Sequence, residues 1–365
     1  AIDWERVAMV EENNGKKVWD VAVSSTDPKS YYCYQKYYWK EDQYGYNYCI
    51  KAFTTNNRDF GEKIKGTSVT LNGSIDMNLY VDIPKNSELM NDQDAYIEFK
   101  VNGNTSKVKV SDAKETGNGK KFTCPVVAKE MTSEIQAQFV SEGERSQVYT
   151  YTVRDYAEEI LKDSKGLYSE KAKNLVKAML NYGANAQTYF GYNTENLANA
   201  NLSAKDKDAS LASEPKNFES YKAFEENDPS VTGITYYGSS LNLNTETNVK
   251  NYFEVEEGHS IGEFTFSYAT NGRPDTVVEP VQQTINGKTL YLIEIPAIKA
   301  HLLNQDIVVT IKSTTSPNSE GRKMHYGPFS YCYAVSKNCS GMPNLVNLTK
   351  SLYWYWNAAN NYVKK

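Results

Sequence analysis

A chain of 365 residues with 45 acidic and 40 basic side chains has the length of roughly two to three domains, and it needs no disulfide staple to build a core. A net charge of -5 with scattered lysines excludes nucleic acid as the main partner, because phosphate binding calls for a basic stripe. No run approaches the ~18 apolar residues of a membrane span, so no membrane insertion is expected.

In chain order, residues 1–60 predict an N-terminal aromatic β segment: a strand over Lys17–Ser24, then two aromatic strands around Tyr44-Gly45. Trp4 and Trp19 are expected to face a core there. Residues 61–192 predict a first lobe. Thr67–Leu71, Ala95–Val101, Thr105–Val110 and Ile135–Phe139 alternate apolar and polar positions as half-buried strands do, with Asn-Gly turns between them. Val153–Leu161 and Glu170–Phe190 then read as helices. In the second, Leu175, Met179, Tyr182, Ala186 and Tyr189 share a stripe. Residues 193–228 are polar and read as a linker. Residues 229–365 predict a second lobe, with strands Val277–Ile285, Leu290–Ile295 and Ile307–Ile311 and a helix whose stripe is Leu348, Leu352, Tyr355, Ala359 and Tyr362.

An internal repeat organises these elements. Val69, Leu71, Asn72, Met77 and Tyr80 match Leu241, Leu243, Asn244, Val249 and Tyr252 at an offset of 172. The same offset relates Ala128, Met131, Ile135 and Phe139 to Ala300, Leu303, Ile307 and Ile311. Tyr156-Ala157 matches Tyr333-Ala334, and Asn174–Phe190 mirrors Asn347–Val363. The expected class is α+β: two duplicated lobes, each a small β-sandwich followed by a helical hairpin, plus the aromatic N-terminal segment.

Chemistry is sparse. The sequence holds no GxSxG elbow, HExxH, P-loop or GxGxxG motif. Its three histidines, His259, His301 and His325, lack metal-ligand spacing, so no metal and no cofactor are expected. The turn Asn91–Asp94 lacks the spacing of a calcium loop. Distant carboxylates could still converge as in glycosidases, but the sequence favours a protein that is not an enzyme. Cys33 with Cys49, and Cys332 with Cys339, are either disulfides or buried thiols.

What the sequence does offer is aromatic surface. Tyrosine is over-supplied, at 29 against 19 leucines, and asparagine numbers 35. Such side chains pair flat apolar faces with hydrogen-bonding tips, which suits sugar rings and their hydroxyls. Tyr34, Tyr38, Trp39, Tyr44 and Tyr46 fall within one short stretch, where cross-strand aromatic packing is the competing explanation. Trp354 and Trp356 stand where the first copy has Asn181 and Gly183, so the fold does not demand them. Trp354 is off the apolar stripe and is expected to be an exposed stacking residue. These seven are the candidate ligand-binding residues.

The segments LNGSIDMNLYV, EMTSEIQAQF, YTVRDYAEEIL and NLVKAMLNYGANAQTYF resemble a module of secreted and cell-surface proteins of gut clostridia. The first copy, about 66–201, fits closely; the second, about 233–363, diverges at Trp354 and Trp356. The doubled arrangement with an aromatic N-terminal segment is similar to the starch adherence system proteins of the amylosome. That resemblance implies a secreted, cell-surface, non-catalytic protein that binds starch and maltooligosaccharides in a groove between lobes. It also implies membership of a larger cell-surface complex through other domains of the parent protein. A start at Ala1 without a leader fits a processed secreted protein or an excised domain alike. The alternative is a protein-interaction or spacer module that binds no glycan.

Overall fold

The computed structural model describes residues 8–13, 16–20, 31–34, 38–41, 57–207, 218–270, 273 and 275–364, the first four segments as backbone. In the N-terminal part Ala8–Asn13 pairs with Lys16–Asp20, and Tyr31–Tyr34 pairs with Tyr38–Glu41, placing Cys33 opposite Trp39 and Tyr34 opposite Tyr38. The expected turn at Tyr44-Gly45 lies outside the described residues.

Residues 63–151 build two antiparallel sheets. One runs in the order Lys63–Leu71, Ile75–Asp82, Gly119–Cys124, Lys114–Thr116. The other runs Glu144–Arg145, Ile135–Ser141, Tyr96–Val101, Asn104–Lys109, with Tyr149–Tyr151 also on Ile135–Ser141. Period-two alternation turns Ile75, Met77, Leu79 and Val81 inward from the first sheet, and Ile135, Ala137 and Phe139 inward from the second. Phe122 meets Phe139 edge-on at 5.3 Å, which joins the two apolar faces. Residues 224–325 run likewise. One sheet is Ile234–Asn242, Asn248–Val255, Lys288–Ile295, Val281–Ile285; the other is Phe224–Glu226, Arg322–His325, Ile307–Ser313, Phe264–Thr270, Thr276–Val278. Phe253 and Phe266 link these sheets at 6.0 Å. Even the pairing irregularity in the first hairpin recurs, between Ile64 and Gly66 in one half and between Tyr236 and Gly238 in the other.

Each half ends in two helices. Val153–Lys162 is capped by Thr152, and Glu170–Phe190 by Ser169, each hydroxyl accepting a backbone N–H of the first turn. The second half ends in Pro328–Asn338 and Pro343–Val363, each opening on a proline whose missing N–H costs nothing at that position. The two long helices pack against each other, and each also packs on the 3-10 turn of its own half, Ala128–Glu130 or Ala300–Leu302. A further seam joins the halves: Thr247 N–H donates to Gly73 C=O at 2.8 Å, and Asn72 bridges Lys299 in antiparallel sense.

The α+β class holds, and several boundaries move. Val277–Ile285 is broken in two because Pro280 cannot donate to the ladder. The expected linker contributes Phe224–Glu226 as an edge strand of the second half. Cys332 and Cys339 are free thiols. Cys332 lies in the helix that Cys339 ends, about 10 Å of axial rise apart, beyond disulfide reach. Among the described residues no helix is long and apolar enough to cross a membrane.

Candidate functional site

Where the halves meet, a cleft of about 410 Å³ opens between them, a size within the usual range for small-molecule sites. Its floor is aliphatic. Val69 and Leu71 come from the end of the first strand of the first half, Ile160 from its short helix, and Leu175, Val176 and Met179 from its long helix. The second half supplies the opposite wall: Lys299, Ala300 and His301 from its 3-10 turn, and Ala359, Tyr362 and Val363 from the end of its long helix. Neither half makes this site alone.

Three tyrosines ring the floor: Tyr156, Tyr168 and Tyr362. Tyr156 is half-buried, and its phenol bonds the Val69 backbone; burial, then the neighbouring Tyr168 and Tyr362 phenols, push its ionisation up, so it stays a neutral donor and acceptor. Tyr168 and Tyr362 are 40% and 51% exposed, large rings left half in water. Burial, then Lys299, holds His301 below the ordinary histidine range, so it is neutral at pH 7. No carboxylate belongs to the described lining. The last turn of the second long helix is held in position by Lys171, whose Nζ donates to Lys364 C=O at 2.8 Å.

The seven candidates from the sequence are distributed differently. Tyr34, Tyr38 and Trp39 belong to the N-terminal hairpin, of which the backbone is described, and Tyr44 and Tyr46 lie outside the described residues. Trp354 is half-buried, not exposed as expected; its indole N–H is enclosed without a hydrogen-bond partner among the described residues. Trp356 is packed into an aromatic cluster, edge-on to Phe329 at 5.2 Å, and its N–H donates to Asn304 Oδ1 at 3.0 Å. Phe218, Tyr221 and Tyr353 complete that cluster. Neither Trp354 nor Trp356 belongs to the described lining of the cleft.

The cleft residues were within reach of the sequence in one respect. Tyr189 and Tyr362 stand last in their helical stripes and read as core, yet they are 39% and 51% exposed. A stripe shows which face is apolar; it does not show where the facing helix stops covering it. Tyr168, in the loop before a capped helix, gave no periodic signal at all. No protein-family model matches the chain, and no curated protein matches it.

Proposed function

We propose that this protein binds starch-type α-1,4-glucan chains, without catalysis, in the cleft between its halves. One observation carries the reading: Tyr156, Tyr168 and Tyr362 gather around an aliphatic floor, with Lys299, His301 and Asn72 at the edge. Ring faces suit the C–H faces of glucose units, and phenol and imidazole tips suit their hydroxyls. A lining without described carboxylates suits a neutral ligand. Each stacked ring contributes on the order of 1–3 kcal/mol, by analogy with aromatic stacking on bases. The resemblance to starch adherence proteins agrees with this chemistry, and with secretion and display in a larger cell-surface complex.

The same reading takes the two halves as copies of one duplicated unit. Their matching strand order, shared strand irregularity and paired helices support it. The binding cleft is then a product of duplication, built from a strand end and the helices of one copy and from the 3-10 turn and long helix of the other.

Affinity electrophoresis in gels containing amylopectin, other polysaccharides or none tests this. The intact protein is expected to be retarded by amylopectin, and Tyr362→Ala and Tyr168→Ala to run faster with unchanged melting temperature. Free migration of the intact protein in every glycan gel would overturn the proposal and favour a protein-interaction module.

A further inference from the structure

The residues that ring the cleft have counterparts at matching positions of the other half, and these counterparts touch one another. Their identity follows from the register of the short helices. Val153, Ala157 and Ile160 are the buried positions of the first, and Pro328, Cys332 and Val335, with the same spacing, are buried in the second. The residue corresponding to Tyr156 is therefore Tyr331. Tyr333, its partner in the sequence alignment, turns elsewhere and bonds Glu219.

The surroundings repeat accordingly. Tyr156 is influenced by Tyr362, from the last turn of the other half's long helix; Tyr331, pushed up to about 12 chiefly by burial, is influenced by Tyr189, at the matching position. Lys129 takes the place of His301: its Nζ donates to Asn244 Oδ1 and lies 5.5 Å above the Phe190 ring and 5.6 Å above the Tyr192 ring. Tyr189 packs edge-on to Phe190 at 4.9 Å and remains 39% exposed. The position of Tyr168 falls on Gly341, so here the aromatic surface comes from Phe190 and Tyr192 instead.

We propose that Tyr189, Phe190, Tyr192, Tyr331, Lys129 and Asn244 form a second site for the same neutral glucan, so that one molecule grips a polysaccharide at two points. The proposal rests on the glucan reading of the cleft and adds to it a second contact. Two sites on one chain raise the apparent affinity for a polymer far above that for a short oligosaccharide, typically by about 10²-fold or more.

Calorimetric titration with maltoheptaose tests it. The intact protein is expected to take up two equivalents, Tyr189→Ala one, Tyr362→Ala one, and the double variant none, each with an unchanged thermal midpoint. Tyr189→Phe, which keeps the ring, is expected to retain two. On amylopectin either single alanine variant should lose about 10²-fold in apparent affinity. One equivalent in the intact protein, abolished by Tyr362→Ala and untouched by Tyr189→Ala, would overturn the second site and leave the cleft standing. No uptake by the intact protein would overturn both.

Discussion

Tyr182 and Tyr355 stack face to face between the two long helices, ring centroids 5.2 Å apart and planes 12° from parallel. They occupy the same position in the two long helices, 5% exposed or less, and burial pushes both phenols above the ordinary tyrosine range. Tyr182 also hydrogen-bonds Thr247 of the other half. Tyr355→Ala opens a cavity at the helix–helix contact and is expected to cost about 3–5 kcal/mol. Urea unfolding checks this, and the cleft should loosen in step, because its two walls ride on these helices.

Gly73 makes the closest backbone approach across the same junction. Its φ of +98° suits glycine, and a Cβ there would stand 2.6 Å from Ala297 Cα and 2.9 Å from Glu246 Oε1. Neither the Ala297 backbone nor the Thr247 N–H bond to Gly73 C=O can yield without parting the halves. Gly73→Ala is expected to destabilise by about 1–3 kcal/mol from overpacking alone and to weaken maltoheptaose binding. Gly103→Ala, at a turn with open space around it, is expected to show the φ strain without the loss of binding.

These two positions show what the sequence could carry. The period of the stripe through Tyr182 and Tyr355 located both long helices, and Asn72-Gly73 marked a turn. That the turn would meet Ala297, 224 residues on, is a tertiary fact with no local signal. The strands were legible where one face is buried, as in Ile135–Ser141. Exposed aromatics were misjudged in both directions, since composition cannot tell Trp356, wedged against Phe329, from Tyr362, left half in water.

Acid chemistry at the junction predicts an unusual pH response. Asp76 is half-buried, and burial raises its pKa against the opposing pull of Ser74 and Lys121. Glu246 faces it from the other half and is raised by burial, then by Asp76 and Glu294. A carboxyl whose folded pKa exceeds its unfolded one contributes most below the unfolded value, about 4, and its contribution is lost as pH rises through the folded pKa. Asp76→Asn is therefore expected to be more stable than the parent at pH 7, with the difference vanishing towards about pH 3. Thermal midpoints across that range check it; a variant less stable at pH 7 would mean that the Ser74 and Lys121 contacts outweigh burial.

Asp228 should act in the opposite sense. Its carboxylate accepts the Ser230 hydroxyl at 2.6 Å, the Ser230 N–H at 2.9 Å and the Gly321 N–H at 2.7 Å, which hold its pKa down to about 2. Here the stabilisation is present above the unfolded pKa, near 4, and is lost as pH falls through about 2. Asp228→Asn should lower the thermal midpoint at pH 7 and converge with the parent in strong acid. The lesion belongs to the second half, where Asp228 ties the segment before Ile234 to the turn at Gly321, so it should leave Tyr362 and the cleft floor in place.

The contrast between Trp356 and Tyr362 separates packing from binding most cleanly, because both are aromatic and lie in the same helix, Pro343–Val363. Trp356→Ala removes an indole from the Phe218–Phe329–Tyr353 cluster and leaves Asn304 without its donor, so a loss of about 3–5 kcal/mol is expected. Trp356→Phe keeps most of the packing and loses about 1 kcal/mol with the hydrogen bond. Tyr362→Ala exposes no buried neighbour to comparable cost, since half of its surface already faces water. Its unfolding midpoint should stay near that of the parent while the affinity of the cleft for maltoheptaose falls by at least about 10-fold, or ~1.4 kcal/mol, enough to drop that equivalent from the titration. The reverse pattern, stability lost at Tyr362 and binding lost at Trp356, would move the glucan from the cleft to the aromatic cluster of the second half.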